Sequence, residues 1–198
     1  KGRAFPGSTS NHHLGTLVGL LMSAYEMNEF KEEYQRRVRA NAKSFARYLK
    51  DKGIDVEGDE SDGFTETHQV LMRIKKYGNG MDIARRLEEN NIITNYQALP
   101  DDATFLKPSG VRMGVQEMTR FGMEADDFDT LAGLTSEVLI HNKNIKAEVL
   151  KFRQNFKNMK FCLPAKAGVP IAARIMRRIV PYPGFSDMFA ENLTKYME

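Results

Sequence analysis

The sequence has a single cysteine, no long hydrophobic run and little net charge, and each of these absences excludes a class of protein. Cys162 can form no disulfide within the chain and has no ligand cluster around it, which fits a reducing cytoplasm. The net charge of +3 comes from interleaved basic and acidic residues and argues against nucleic-acid binding. The longest apolar run, Leu14 to Ala24, is shorter than the roughly 20 residues that cross a bilayer. We expect a soluble globular protein that does not span a membrane.

The first residue is Lys1, and no secretory signal sequence follows it. We therefore expect the chain to be a piece of a longer protein. Leu14 to Ala24 is then best explained as a buried helix or a subunit contact.

Hydrophobic periodicity predicts helices that alternate irregularly with short strands. The expected helices are residues 12–28, 29–52 and 81–90 and a segment that begins at Asp126 or Asp127. The expected strands are residues 54–57, 68–74 and 110–115 and one that starts within residues 92–95. This order favours a small α/β or α+β layer, in which a short sheet has helices on one side.

The pattern of apolar and charged residues changes beyond about residue 144. An apolar stripe from Ile145 to Phe156 predicts a docking helix. Residues 171–180 then predict an amphipathic helix with Arg174, Arg177 and Arg178 on its polar face. Such a face can lie on a membrane or bind an acidic partner, but it is more often simply solvated.

Arg112 lies between two glycines, Gly110 and Gly114, in a short apolar strand. Its planar guanidinium can hold a carboxylate through two parallel hydrogen bonds. We expect this guanidinium to be buried, and a buried cation needs an anionic partner. The partner is either an Asp or Glu of the same fold, which would make Arg112 structural, or the carboxylate of a ligand.

Five segments, in this order along the chain, resemble the C-terminal part of serine hydroxymethyltransferases and cover about residues 5 to 140. They are Phe5-Pro6-Gly7, the helix with Glu29-Phe30-Lys31, Tyr34-Gln35 and Asn41-Ala42, the strand Thr67 to Leu71, the segment Ile93 to Pro100, and Ser109 to Gly114 with Thr119-Arg120 after it. The resemblance implies the small C-terminal α/β domain of a fold-type I transferase that uses pyridoxal 5′-phosphate. It divides the chain into the end of the large domain with an interface helix (1–28), the small domain (29–143) and a helical extension (144–198).

The resemblance implies that the cofactor lysine and most phosphate ligands lie upstream of Lys1, so no catalytic lysine is assigned in this chain. Arg112 matches the arginine that grips the carboxylate of the amino-acid substrate. In the family, two glycines after the FPG segment offer backbone N–H groups to the cofactor phosphate of the neighbouring subunit. The matching positions are Ser10 and Asn11, and the side chains of Thr9 and Ser10 can assist. The other explanation of this loop is a helix cap.

The segment Ile93 to Pro100 matches the part of the family that lies near the folate pteridine, where an asparagine contacts it. The matching residue is Gln97, which has the same set of donors and acceptors. Gln97 and Asn95 are the expected folate-binding residues. Glu66 either orients a ligand or lies in a solvated loop.

Histidines give no metal site in the sequence. His12 and His13 are adjacent and point about 100° apart on a helix, so they cannot easily chelate one ion. We expect them near the cofactor edge or a subunit interface. His68, at a strand start, is more often a structural histidine than a general base.

Together these observations predict the C-terminal part of an enzyme that interconverts serine and glycine and passes one carbon to tetrahydrofolate, acting as a homodimer or higher oligomer. The departures at Ser10-Asn11 and Gln97 leave open a folate-independent β-hydroxy amino acid aldolase or transaldolase, or an α-methylserine hydroxymethyltransferase. An alternative of another class is a non-catalytic dimerisation or binding module. The isolated chain is expected to be inactive and to bind no cofactor covalently.

Overall fold

The computed structural model describes residues 7, 8, 11, 13–180, 182 and 184–195. The chain divides into two compact units. The sheet unit is residues 32–160, and the terminal unit is residues 1–31 together with residues 161–198. The domain boundaries expected from the sequence, after residues 28 and 143, stay a proposal.

Helix α1 (Leu14–Asp51) is one continuous helix where the sequence pattern predicted two. The two-helix prediction was wrong because no glycine or proline lies between Gly19 and Gly53, so nothing interrupts the backbone hydrogen bonds. Hydrophobic periodicity over residues 29–52 predicts one apolar face that includes Tyr34, Val38 and Phe45. All three side chains are buried.

Four short strands of the sheet unit form one antiparallel sheet. They are β1 (Asp55–Val56), β2 (Gln69–Arg73), β3 (Asn95–Gln97) and β4 (Gly110–Gly114), in the order β1-β2-β4-β3. β4 therefore has a neighbour on each side, and β3 lies at an edge.

Strand β3 begins at the end of the range predicted for its start. Asn91 adopts a positive φ of 62°, and the backbone N–H of Ile92 donates to the carbonyl of Leu87. These two features close helix α2 (Gly80–Glu89) and use residues 91–94 as the connection. Hydrophobic periodicity predicts neither the positive φ of Asn91 nor this hydrogen bond.

The two faces of the sheet differ in what covers them. Val70, Met72, Val111 and Met113 point to the inner face and are buried. Helix α4 (Ala125–Leu139) and helix α1 complete the core there, with the rings of Phe45 and Phe128 5.4 Å apart. The outer face carries half-buried or exposed side chains. The predicted short sheet with helices on one side is therefore confirmed.

A buried polar network ties helix α3 (Gln116–Arg120), which directly follows β4, to helix α1. The side-chain amide of Asn41 donates to Thr119 Oγ1 at 2.9 Å and to the Met123 carbonyl at 3.0 Å. The Tyr34 hydroxyl donates to the Gln116 carbonyl at 2.9 Å. Burial raises the pKa of the Tyr34 phenol, so this donor keeps its proton. The chain that leaves β4 is thereby held in one position.

A carboxylate closes the loop between β3 and β4. Asp102 Oδ2 accepts hydrogen bonds from the backbone N–H groups of Leu99, at 2.9 Å, and Ser109, at 2.8 Å. Hydrogen bonds from the Ser109 side chain, and then from these two backbone groups, lower the pKa of Asp102 below its ordinary value of 3.8. The loop thus has a fixed base, while Phe105 and Leu106 at its tip are almost fully exposed.

Three more helices follow: α5 (Lys146–Arg153) in the sheet unit, and α6 (Ala165–Ile179) and α7 (Phe185–Lys195) in the terminal unit. Helix α6 starts six residues before the predicted position and contains Pro170. Two of its arginines are engaged inside the unit: Arg174 donates to the Tyr25 hydroxyl at 2.9 Å, and Arg177 pairs with Asp187 at 2.6 Å. Across the described residues, no helix is long and apolar enough to cross a membrane.

Asn41→Ala should lower the free energy of unfolding by about 2–3 kcal/mol, because it removes two buried hydrogen bonds and leaves the Met123 carbonyl without its donor. Urea denaturation measures the change. Arg47→Ala, on the exposed side of the same helix, is the control and should have little effect. Equal stability of the two variants would contradict the role given to this network.

The backbone amide NMR signals of Leu99 and Ser109 should follow the titration of Asp102 with a midpoint below 3.8. The sign follows from the lowered pKa: the ionised clamp is intact at neutral pH and is lost only as the pH falls through that lowered value. Asp102→Ala should abolish this titration, whereas Lys107→Ala, an exposed change in the same loop, should preserve it. A midpoint above 3.8 would show that the clamp does not stabilise the ionised form.

Candidate functional site

Arg112 occupies the middle of β4, one of the two central strands, and points to the outer face of the sheet. Leu71 of β2 lies directly across on one side, and Asn95 of β3 lies across on the other. The nearest same-face positions on its own strand are Gly110 and Gly114, which have no side chains. No side chain of β4 itself therefore flanks the guanidinium on this face.

The Arg112 side chain is half-buried, so the expectation of a buried guanidinium was wrong. The physical reason is that the described helices that cover the sheet lie on its inner face. Within the part of the chain that the structure describes, Arg112 makes no hydrogen bond or ion pair. The structural ion pair that was the alternative explanation is not found there.

Arg73, on the outer face of β2, provides a contrast. Its guanidinium pairs with Glu57 at 2.5 Å and with Asp101 at 2.9 Å. The hydrogen bonds that Arg73 donates to Asp101, and then to Glu57, raise its pKa further. One arginine of this face is thus neutralised by its own fold, and the other keeps its charge available.

Side chains from elsewhere fill the places that the two glycines leave empty. A Cβ atom on Gly110 would lie 2.7 Å from Leu99 Cδ2, and a Cβ atom on Gly114 would lie 2.5 Å from Gln116 Oε1. Arg112 therefore has an apolar neighbour on one side and a carboxamide on the other. Any side chain at either glycine would displace these groups.

Two clefts meet at Arg112. The larger, of about 800 Å³, has a mostly apolar wall that includes Leu71, Leu99, Pro100 and Phe105. The smaller, of about 290 Å³, is mostly polar and is lined by His68, Thr94, Asn95, Gln116 and Glu117, with Ile93 and Gly114 beside them. Both clefts also share Gln69. The guanidinium can thus reach a ligand in either space.

The structure brings together three of the residues predicted for the site. Asn95 is the cross-strand partner of Arg112, and Gln97 is the partner of Gly110 on the same face. Gln97 lines the larger cleft and Asn95 lines the smaller one. Their grouping around one cation supports a common site, and their roles stay predictions.

Of the three residues predicted for the phosphate loop, the structure describes one. Thr9 and Ser10 lie outside the described residues. Asn11 is described and exposed, and it belongs to the terminal unit. The assignment of these three residues to a cofactor phosphate therefore stays a prediction.

The other candidates from the sequence lie in different surroundings, and their roles stay predictions. His68 is half-buried, lines the smaller cleft and accepts a hydrogen bond from the Val115 backbone through its carbonyl. Glu66 pairs with Arg39 and Lys43, and hydrogen bonds from Lys43 and then Arg39 lower its pKa. His13 is exposed, and His12 lies outside the described part. No three His, Cys, Asp or Glu side chains gather as a metal site among the described residues.

Sequence reasoning missed Gln69, Leu99 and Gln116 as neighbours of Arg112. Gln69 faces Gly114 across β2, so its place depends on strand register. Leu99 and Gln116 reach over glycines from outside the strand, so they depend on how the chain turns at each end of β4. Only Gln116 could have been suspected from the sequence as a neighbour of Arg112, because it is a polar residue two positions beyond Gly114.

Comparison with known proteins places this geometry in a family. Residues 3–135 match the family model described as "Serine hydroxymethyltransferase". The chain is 38% identical over 175 residues to a serine hydroxymethyltransferase of Nitrosopumilus maritimus, with 85% of this chain and 40% of the relative covered. It is 43% identical over 159 residues to the enzyme of Pyrobaculum aerophilum, with 79% and 37% covered.

A solved structure agrees with the fold. The crystal structure of L-threonine transaldolase from Pseudomonas fluorescens in its internal aldimine state aligns with a TM-score of 0.69 and 30% identity, over 80% of this chain and 36% of that one. The small four-stranded sheet with its helices accordingly has the fold of the matching part of that neighbour, a fold-type I pyridoxal-phosphate enzyme. The chain spans about 40% or less of the length of these relatives. With two thirds of its residues in the family model and these relatives alongside, this chain belongs to the serine hydroxymethyltransferase family.

Proposed function

We propose that the chain is the C-terminal part of a serine hydroxymethyltransferase that interconverts serine and glycine and passes one carbon to tetrahydrofolate. The observation that carries the proposal is the guanidinium of Arg112, which has no partner among the described residues and lies where two clefts meet. Its position in a strand of the matched family region supports the same role.

Arg112 binds the carboxylate of the amino acid in this proposal. A planar guanidinium makes two parallel hydrogen bonds to a carboxylate, and it stays charged at any working pH. Two such bonds fix the direction of the substrate as well as its position. Orientation of this kind can lower a barrier by several kcal/mol, on the order of a thousandfold in rate.

Pyridoxal 5′-phosphate, when bound, supplies an aromatic ring that accepts electrons from the substrate carbon. The open outer face of the sheet fits this cofactor. The unpaired guanidinium of Arg112 can hold the carboxylate of an amino acid, and the larger cleft leaves room for the cofactor ring beside it. Thr9, Ser10 and Asn11 would contact the cofactor phosphate of a neighbouring subunit. The residue that holds the cofactor covalently is proposed to lie upstream, so the isolated chain should be inactive.

The larger cleft is the proposed place of the folate. Its volume of about 800 Å³ exceeds the need of serine alone, and its apolar wall suits a flat ring system. Gln97 on the edge of this cleft, and Asn95 beside Arg112, offer carboxamides that can pair with the donors and acceptors of a pteridine.

A second candidate function is favoured by the structural similarity to an L-threonine transaldolase. An aldehyde acceptor would then occupy the apolar cleft in place of folate. An α-methylserine hydroxymethyltransferase would keep the same carboxylate clamp. Assay of the full-length protein with serine and tetrahydrofolate, against threonine and an aromatic aldehyde, separates these possibilities, and faster turnover of the second pair would overturn the folate assignment.

We also propose a homodimer in the cytoplasm. Leu17, Leu20 and Leu21 in the first half of helix α1 are substantially exposed, and such an apolar surface usually meets another protein surface. The alternative of a non-catalytic binding module predicts no turnover with either substrate pair.

In the full-length enzyme, Arg112→Lys should lower kcat/KM for serine by roughly 30- to 1000-fold, or about 2–4 kcal/mol, because lysine keeps the charge but loses the planar fork. Cofactor content and thermal stability should change little. Arg73→Lys, the same change at a paired arginine of the same face, is the matched control and should leave kcat/KM near wild type. Unfolding of Arg112→Lys with normal activity per folded molecule would make Arg112 a structural residue.

A further inference from the structure

We infer that Gln116 is a second recognition group for the substrate carboxylate, and that it determines specificity beside Arg112. This inference rests on the proposed function, since it assumes that Arg112 binds the carboxylate. Gln116 lies outside the segments in which family resemblance placed site residues, and only its geometry brings it forward.

The position of Gln116 follows from the missing side chain of Gly114. Residues 112 and 114 of strand β4 point to the same face, so a side chain at 114 would be the direct neighbour of Arg112. The Gln116 carboxamide occupies that place, since its Oε1 and Nε2 lie 2.5 and 3.1 Å from where a Gly114 Cβ atom would stand. The carboxamide and the guanidinium line the same polar cleft of about 290 Å³.

The backbone of Gln116 is held from behind, although its side chain is exposed. The Tyr34 hydroxyl donates to the Gln116 carbonyl, and Tyr34 itself is buried. Three residues further along, Thr119 is fixed by Asn41. The start of helix α3 is thereby anchored to α1, which limits the positions the carboxamide can reach.

A carboxamide is the right chemistry for this place. Its N–H groups can donate to a carboxylate, yet it carries no charge and leaves the positive charge of Arg112 intact. A carboxylate at the same place would pair with Arg112 and compete with the ligand. Glu117 and Asp102 also line the two clefts, but neither lies within ion-pair distance of Arg112.

The neighbourhood is consistent with this view. Gln69 faces Gly114 across β2, and Asn95 faces Arg112 across β3. With Gln116, three neutral amides therefore adjoin one cation. Such a site prefers a ligand that brings its own negative charge, which separates an amino acid from its uncharged amide.

The test compares Gln116→Glu with wild type in the full-length holoenzyme, using serine turnover and the binding of glycine and glycinamide. Gln116→Glu should raise KM for serine and Kd for glycine by roughly 10- to 100-fold, because the new charge pairs with Arg112 and repels the carboxylate. The kcat should stay within about threefold of wild type. Binding of glycinamide, which has no carboxylate, should be unchanged or tighter. Gln116→Met, which keeps the length but loses the donors, should raise KM by roughly 3- to 10-fold.

Gln35→Glu is the matched control, since it makes the same change at an exposed position on helix α1 away from both clefts. A KM for serine within twofold of wild type in Gln116→Glu would overturn the inference, as would an equal loss of glycine and glycinamide binding. Arg112→Lys, measured alongside, distinguishes a failure of the Gln116 inference from a failure of the proposed carboxylate site. If it weakens serine binding while the Gln116 variants do not, only this inference is wrong. If Arg112→Lys has no effect either, the proposed carboxylate site is wrong as well.

Discussion

A cation without a partner in its own unit is the constraint on which the rest of the sheet unit depends. Arg112 must stand on a central strand, face away from the core and keep its charge available. The guanidinium is half-buried, which costs less in desolvation than full burial. The strand itself is held by its inner face, where Val111 and Met113 are buried. Packing on the inner face thus carries the stability, and the outer face stays open for the proposed carboxylate site.

Gly110 and Gly114, on either side of Arg112, serve the same constraint. Each removes a side chain next to Arg112, and each vacancy is filled from outside the strand, by Leu99 at one end and Gln116 at the other. Because Leu99 is held by the Asp102 clamp and Gln116 by Tyr34, the surroundings of the guanidinium are set by two separate hydrogen-bonded anchors. The site is therefore assembled from the ends of β4 and from both neighbouring strands.

The sequence was most informative where a local pattern decides the structure. The strand of Arg112 was predicted to within one residue, because glycines bound a short apolar run whose alternate residues Val111 and Met113 are buried on one face. The stripe of helix α1 was correct for the same reason. Its continuity was missed because the apolar segment up to residue 28 and the amphipathic segment after it were assigned to separate helices, although no helix breaker lies between them.

Features that depend on distant contacts were beyond reach from the sequence. The start of β3 depends on the positive φ of Asn91, and the exposure of Arg112 depends on which face the helices cover. The roles of Gln69 and Gln116 depend on strand register and on the turn after β4. Family resemblance implied a carboxylate role for Arg112 and, separately, a folate role for Asn95 and Gln97. The antiparallel pairing of β3 with β4 brings the three residues close together.

The most direct measurement of the central claim is a crystal structure of the full-length enzyme with glycine bound. The account predicts that the glycine carboxylate accepts two hydrogen bonds from the Arg112 guanidinium, with N···O distances of roughly 2.7–3.0 Å, and that no protein carboxylate pairs with this arginine. An Asp or Glu from the upstream part of the protein paired with Arg112, with the glycine carboxylate held elsewhere, would contradict it.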